Sequence, residues 1–278
     1  MKAAIIGMGS IGKRHYKNLK SMGIEVKGYD LGDAPSFNCD FVLICTHEHF
    51  GLIHECVSRN VPFFVEKPVV SKLDELEDLE ALDISAPNMV ACNLRFTSAL
   101  DFAKGLANKG SILNIHARVC DSNPSREKYG DIVLQDIHEF DYLYWLFGPI
   151  KRIDVNKFYD GKSYEASILF KSGRMASVHG DMLSETYFRR MTIQTKKYTF
   201  DAELDIDNRM YEREMEYFAE CVWMDFMPMN NLKESLHLTR RLLEALNWRN
   251  STSASDVLSF TGENPTGTSW TLSSGSCN

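Results

Sequence analysis

The residues with the plainest chemical use stand at the start of the chain, where Gly7-Met8-Gly9-Ser10-Ile11-Gly12 follows a short apolar run and opens a helix-patterned stretch. A GxGxxG pattern between a strand and a helix is suited to hold a dinucleotide pyrophosphate. Gly7 permits the tight turn, Gly9 lets the backbone approach the phosphates, and Gly12 lets the helix pack close to the strand. The first helical turn, with Ser10 and Ile11, offers free N–H groups and a partial positive charge to an anion. Asp30 ends the next strand candidate, where a carboxylate accepts hydrogen bonds from a ribose 2′-hydroxyl and repels a 2′-phosphate. The expected cofactor is therefore NAD, with NADP disfavoured.

Two further groups follow apolar runs. Thr46, His47, Glu48 and His49 come after one, and Glu66, Lys67 and Pro68 after the next. Ligands of a parallel sheet bind beyond the carboxyl ends of its strands, near the switch in strand order. Thr46, His47, His49, Glu66 and Lys67 are thus expected at the nicotinamide end of the crevice. His47-Glu48-His49 lacks the HExxH spacing that puts two imidazoles on one helix face, so no metal is expected there.

These residues need a scaffold, and the first ninety positions supply one in outline. Strand candidates at 2–6, 25–29, 41–45, 62–65 and 88–91 alternate with helix-patterned stretches at 12–22 and 49–59. Such alternation predicts βαβ units and a doubly wound parallel sheet. From about residue 97 the texture changes. A helix at 98–108 and a strand at 111–119 lead to a Ser/Asn/Pro loop and then to a strongly apolar helix ending at Phe147-Gly148-Pro149. Longer strands follow at 152–158, 164–171, 175–181, 190–195 and 198–200, then helices at 211–224 and 232–246. Turn signals at Asp160-Gly161 and Ser172-Gly173 suggest an antiparallel meander. The fold class is α/β: an N-terminal Rossmann domain over 1–96, then an α+β domain over 97–250 with a large, open, mostly antiparallel sheet. The Ser/Thr-rich stretch 251–278 has too little apolar surface to offset its ordering entropy and reads as a loosely held tail, with 268–272 able to pair as an edge strand.

Composition excludes several classes. Acidic residues outnumber basic ones, 38 to 31, and no Lys/Arg run provides a local field for nucleic acid. No window approaches the roughly 18 apolar residues of a membrane span, and the N-terminal apolar run is too short for a signal peptide. Seven scattered cysteines without CxxC or zinc-ligand spacing fit reduced thiols and a cytoplasmic location.

Taken in order, the GxGxxG at the N-terminus, Glu66-Lys67-Pro68, Asn93-Leu94-Arg95-Phe96 at the domain junction, and the stretch 131–148 with His138 resemble the Gfo/Idh/MocA oxidoreductases over about residues 1–250. The resemblance implies NAD(P)-dependent chemistry on sugars, sugar nucleotides or inositols, in homodimers or homotetramers that associate through the open sheet. It makes Lys67 and His138 the catalytic pair. An ammonium at the strand end hydrogen-bonds the reacting oxygen and stabilises its alkoxide character, and Pro68 holds the lysine backbone through a bond that is a candidate for cis. An imidazole takes or returns the hydroxyl proton, with Asp141 one turn on to orient it.

One position departs from the family pattern. Relatives place an aspartate three or four residues before this histidine, where Leu134 and Gln135 stand here. Asp136 lies two residues before, about 200° around a continuous helix and off the histidine's face. Either the helix starts later and Asp136 reaches the site, or Gln135 substitutes as a neutral hydrogen-bonding group. Substrate contacts are expected from Lys67, His138, Arg95 and Tyr129, with Asn123, Arg126 and Lys128 nearby; Arg95 and Arg126 can equally pair with carboxylates between the domains. Three readings remain open: an NAD-dependent sugar or cyclitol dehydrogenase, a redox-neutral sugar-modifying enzyme, and a non-catalytic NAD(H)-binding regulator.

Overall fold

The computed structural model describes residues 1–30, 32–122 and 130–251. Tyr129, Asn123, Arg126, Lys128 and the 252–278 stretch lie outside the described residues. The first sheet is built from β1 (Lys2–Ile6), β2 (Glu25–Tyr29), β3 (Phe41–Ile44), β4 (Phe63–Val65) and β5 (Asn88–Val90). The strands are all parallel, in the order β2-β1-β3-β4-β5. Helices α1 (Ser10–Ser21), α2 (Phe50–Ser58) and α3 (Leu73–Glu80) connect them. The uninterrupted apolar sequences of β3 and β4 are buried end to end, as in strands covered on both faces. Helix α3 escapes the sequence analysis because its acidic sequence buries little beyond Leu76 and Leu79. That apolar stripe is too narrow to register as a periodic signal.

The chain passes from β1 outward to β2, then returns across β1 to β3, which puts the switch in strand order between β1 and β3. The loops leaving those two strands touch. A Cβ on Gly7 would lie 2.7 Å from the Cys45 carbonyl, and Gly7 has a positive φ of 97° that disfavours any side chain.

The second half begins with a 3₁₀ turn (Asn93–Phe96) and continues through α4 (Ser98–Asn108), β6 (Ile112–Cys120), α5 (Ile132–Gln135) and α6 (Ile137–Phe147). Strands β7 (Ile150–Phe158), β8 (Ser163–Phe170), β9 (Met175–Asp181), β10 (Phe188–Thr195) and β11 (Thr199–Glu203) follow, then α7 (Asn208–Met224) and α8 (Leu232–Ser251). The sheet order is β11-β10-β6-β9-β8-β7. Strands β7, β8 and β9 form the expected antiparallel meander, but β6 inserts between β9 and β10 and runs parallel to β9. The sheet is therefore mixed, and mostly antiparallel. Its inner face packs on α6, whose apolar residues surround the helix so that it is buried almost throughout. Gly148, at φ 81°, ends that helix.

Helices α7 and α8 come late in the chain yet pack back on the first sheet. The Phe218 ring meets Phe41 at 5.5 Å and Phe64 at 5.7 Å. The Asn88 side chain accepts from the backbone of Leu232, and Asn230 donates to the carbonyl of Val90. Among the described residues no helix is long and apolar enough to cross a membrane.

Candidate active site

The glycine turn presents a cradle on one side and close packing on the other. A Cβ on Gly12 would fall 1.9 Å from the Gly7 carbonyl oxygen, so α1 rests directly on the turn. A Cβ on Gly9 would meet nothing within 4 Å. Gly9 caps α1 without a side-chain hydrogen bond and, like Ser10, is exposed, leaving open space at a helix N-terminus. Asp30 is exposed just after β2, and after β3 Thr46 is half-buried and His47 exposed. These residues fit a dinucleotide: backbone and a helix terminus for the pyrophosphate, a carboxylate for a ribose.

His49 turns inward, while Glu66, directly after β4, is only half-buried. His49 is buried beside Glu66 and the Pro68 backbone. Glu66 accepts a hydrogen bond from His15 Nε2 of α1 at 3.1 Å. His15, Cys45 and Glu66 bring their ligand atoms within 4.8 Å of one another. Burial pushes the Cys45 thiol well up, so the group reads as packed polar core between α1 and the sheet.

Lys67 stands two residues beyond β4, and its peptide bond to Pro68 is cis. Its Nζ donates to the backbone carbonyl of Gln135 at 2.7 Å, across 68 residues of sequence. Burial, followed by the nearby Arg189 guanidinium, lowers its pKa to about 8, against the pull of Asp136, Glu139 and Glu66.

The turn that receives Lys67 settles the question of the aspartate. Asp131 caps α5 by accepting from Val133 N, the helix runs only to Gln135, and Asp136 leaves helical geometry at φ −90°, ψ 21°. Helix α6 starts afresh at Ile137. The later start brings Asp136 into the cluster: it is fully buried and accepts from the Tyr164 hydroxyl at 3.3 Å. Gly180 of β9 makes room for this contact, since a Cβ there would lie 2.0 Å from the Tyr164 ring and 2.8 Å from the Asp136 carboxylate. Gln135 directs its side chain to the Gly130 carbonyl and offers Lys67 its backbone instead. Its expected role as a side-chain substitute is corrected accordingly.

His138 opens α6 and is 8% exposed, with no hydrogen-bond partner for Nδ1 among the described residues. Burial, then the positive charges of Lys67 and Arg189, hold its pKa well below 6.5, so the imidazole is neutral. Asp141 does not orient it. Both Asp141 oxygens are taken by Arg95, at 2.6 and 2.8 Å, and Arg95 is 3% exposed. Arg95 is thus an interior structural residue, and the expectation that it reaches substrate is corrected; removing one member of such a buried pair costs about 3–5 kcal/mol.

Arg189 and Glu139 were not foreseen from the sequence. Arg189 lies on β10, with Nη1 against Glu139 Oε1 and Nη2 4.0 Å from Asp136 Oδ1. The available signal was an inward position: Arg189, Met191 and Ile193 alternate on one buried face of the strand, where a charge is out of pattern.

Burial of the two histidines has a consequence for stability. His49 is held at about 4, chiefly by burial, and His138 is lowered in the same direction. The unfolded chain takes these protons near pH 6.5 while the folded chain refuses them, so stability is complete above that pH and is lost as pH falls toward 4. The His49 part amounts to about 3 kcal/mol. Urea midpoints at pH 7 and pH 4.5 should show this loss, and His49→Phe should reduce it; an unchanged slope with pH in that variant would remove His49 as the cause.

The architecture defines a class: a Rossmann-type half joined to a half with a large, mostly antiparallel sheet. The same fold occurs in a probable dehydrogenase from Thermotoga maritima, at 18% identity and a TM-score of 0.77, covering 90% of this chain and 97% of that one. It occurs in a myo-inositol dehydrogenase from Corynebacterium glutamicum, at 15% identity and a TM-score of 0.79, covering 89% and 96%. A scyllo-inositol dehydrogenase from Lactobacillus casei, solved with NAD(H) and scyllo-inositol, matches at 16% identity and a TM-score of 0.71, covering 89% and 96%. No family model and no curated protein matches the chain.

Proposed function

We propose that this protein is an NAD-dependent oxidoreductase of the Gfo/Idh/MocA type, acting on a hydroxyl-bearing carbon of a sugar, sugar nucleotide or cyclitol. The observation that carries the reading is the meeting of Lys67, from the end of a Rossmann strand, with the Gln135–His138 turn of the second half. NAD, when bound, supplies a nicotinamide carbon that accepts or returns hydride. The chain's own residues handle the proton. Lys67 donates a hydrogen bond to the reacting oxygen and stabilises its negative charge, and neutral His138 takes the hydroxyl proton on oxidation or returns it on reduction. Asp30 favours NAD over NADP by repelling a 2′-phosphate.

The enclosed charges bear on the substrate. Lys67 and Arg189 stand against Asp136, Glu139 and Glu66, so carboxylates outnumber cations in the cluster. Such a site gives no net attraction to an anionic reacting group and suits neutral polyol carbons, any phosphate being held away from them. Association into a homodimer or homotetramer through the outer face of the second sheet belongs to the same reading.

Thermal-shift titrations with NAD and NADP, alone and with a panel of sugars, sugar nucleotides and inositols, test this directly. The expected result is a shift with NAD that grows with one polyol class, accompanied by nicotinamide absorbance at turnover. Turnover without absorbance change would instead favour the redox-neutral variant. Failure of NAD to shift the transition would overturn the assignment.

A further inference from the structure

The buried charges around Lys67 are arranged with more care than pairing alone requires. Carboxylates belong to Asp136 in the turn, Glu139 on α6 and Glu66 beside the lysine itself, and cations to Lys67 and Arg189; His138 of α6 also faces the group. A buried ammonium among carboxylates would ordinarily seize the nearest one and hold its proton firmly. Here Lys67 Nζ hydrogen-bonds a neutral backbone carbonyl, that of Gln135. The two carboxylates of the second half are occupied elsewhere. Glu139, fully buried, is bound by Arg189 Nη1, while Asp136 receives the Tyr164 hydroxyl and lies 4.0 Å from Arg189 Nη2. Arg189 reaches them from β10, and its own backbone carbonyl is tied to Leu204 N at 2.9 Å.

We propose that Arg189 is a positioning residue: by engaging Glu139 and Asp136 it keeps both carboxylates off Lys67, so that the lysine stays on the Gln135 carbonyl and remains free to exchange a proton with the reacting oxygen. The inference rests on the dehydrogenase reading for the use of that proton, but the arrangement itself belongs to the chain. A guanidinium suits the task because it keeps its charge when buried and carries several donors in a fixed plane. The lowered pKa of Lys67, to which Arg189 contributes by its like charge, agrees with this geometry.

The test is to follow the Lys67 side chain by NMR in protein carrying 13C-labelled lysine, the signal being assigned by its loss in Lys67→Arg. In the wild type the midpoint is expected near 8. In Arg189→Met, Asp136 and Glu139 are released toward the ammonium and a like charge is lost, so the midpoint should rise by at least about one pH unit, a tenfold gain in proton affinity. Arg189→Lys retains the charge and should return the midpoint most of the way. Should Arg189→Met fold poorly, Arg189→Met/Glu139→Gln removes the stranded buried acid as well, and Asp136 alone should still raise the midpoint. A folded variant of either kind with the midpoint unmoved overturns the proposal. If the midpoint rises but no cofactor binds and no polyol turns over, the dehydrogenase reading falls while the role of Arg189 stands. If turnover is found and the midpoint is unmoved, the reverse holds.

Discussion

Lys67→Ala is expected to lower kcat by about 10³-fold while leaving NAD affinity largely intact. The side chain supplies the hydrogen bond and positive charge at the oxygen where negative charge develops, and an aliphatic stub supplies neither. NAD binding should survive because the glycine turn and Asp30 lie on other strands and do not depend on the lysine head group. Stability should hold or rise. Enclosing the ammonium costs desolvation, and the alanine variant leaves Glu139 and Asp136 engaged by Arg189. Lys67→Arg separates charge from proton exchange: a guanidinium keeps the charge but does not release a proton near neutral pH, so partial activity with a flattened alkaline pH dependence is expected. Single-turnover absorbance measurements with saturating NAD check both variants. Wild-type turnover in Lys67→Ala would remove the lysine from the mechanism.

The second large effect divides binding from folding within one motif. Gly9→Val should weaken NAD binding by at least about 100-fold, close to 2.7 kcal/mol, with little change in the urea midpoint. Residue 9 has extended backbone angles, φ −70° and ψ −160°, that a side chain accepts, and nothing of the protein lies within 4 Å of the added Cβ. The new side chain fills only the space the pyrophosphate would take. Gly12→Val should act oppositely. Its Cβ would sit 1.9 Å from the Gly7 carbonyl oxygen, a collision with backbone that α1 relieves only by moving off the sheet, at a cost of about 3 kcal/mol or more. Fluorescence titration with NADH and denaturation of the two variants side by side distinguish these outcomes. Undiminished NAD affinity in Gly9→Val would mean that the turn cradles no dinucleotide.

The sequence was legible where structure is local. The first half follows its apolar runs closely: β1 and β2 begin and end as expected, and the glycine turn takes the geometry its spacing implies. Lys67 was visible because it follows a buried strand in a sheet whose ligands gather at strand ends. Helix α3 was missed for want of a broad apolar stripe, and the place of β6 was missed because strand pairing in a mixed sheet is a choice among partners far apart in the chain.

The amino-acid sequence by itself determined the parallel sheet, the glycine turn and the buried helix that carries His138, since each is written in uninterrupted apolar runs or in a turn that only glycine makes easily. The tertiary structure alone decided which charges meet. Asp136 joins the cluster because α5 stops and α6 starts anew, Arg189 meets Glu139 across 50 residues, and Arg95 takes Asp141 across 46. Burying a charge demands a partner but does not say which one. Periodicity shows that a side chain points inward, and only the packed chain shows what it finds there.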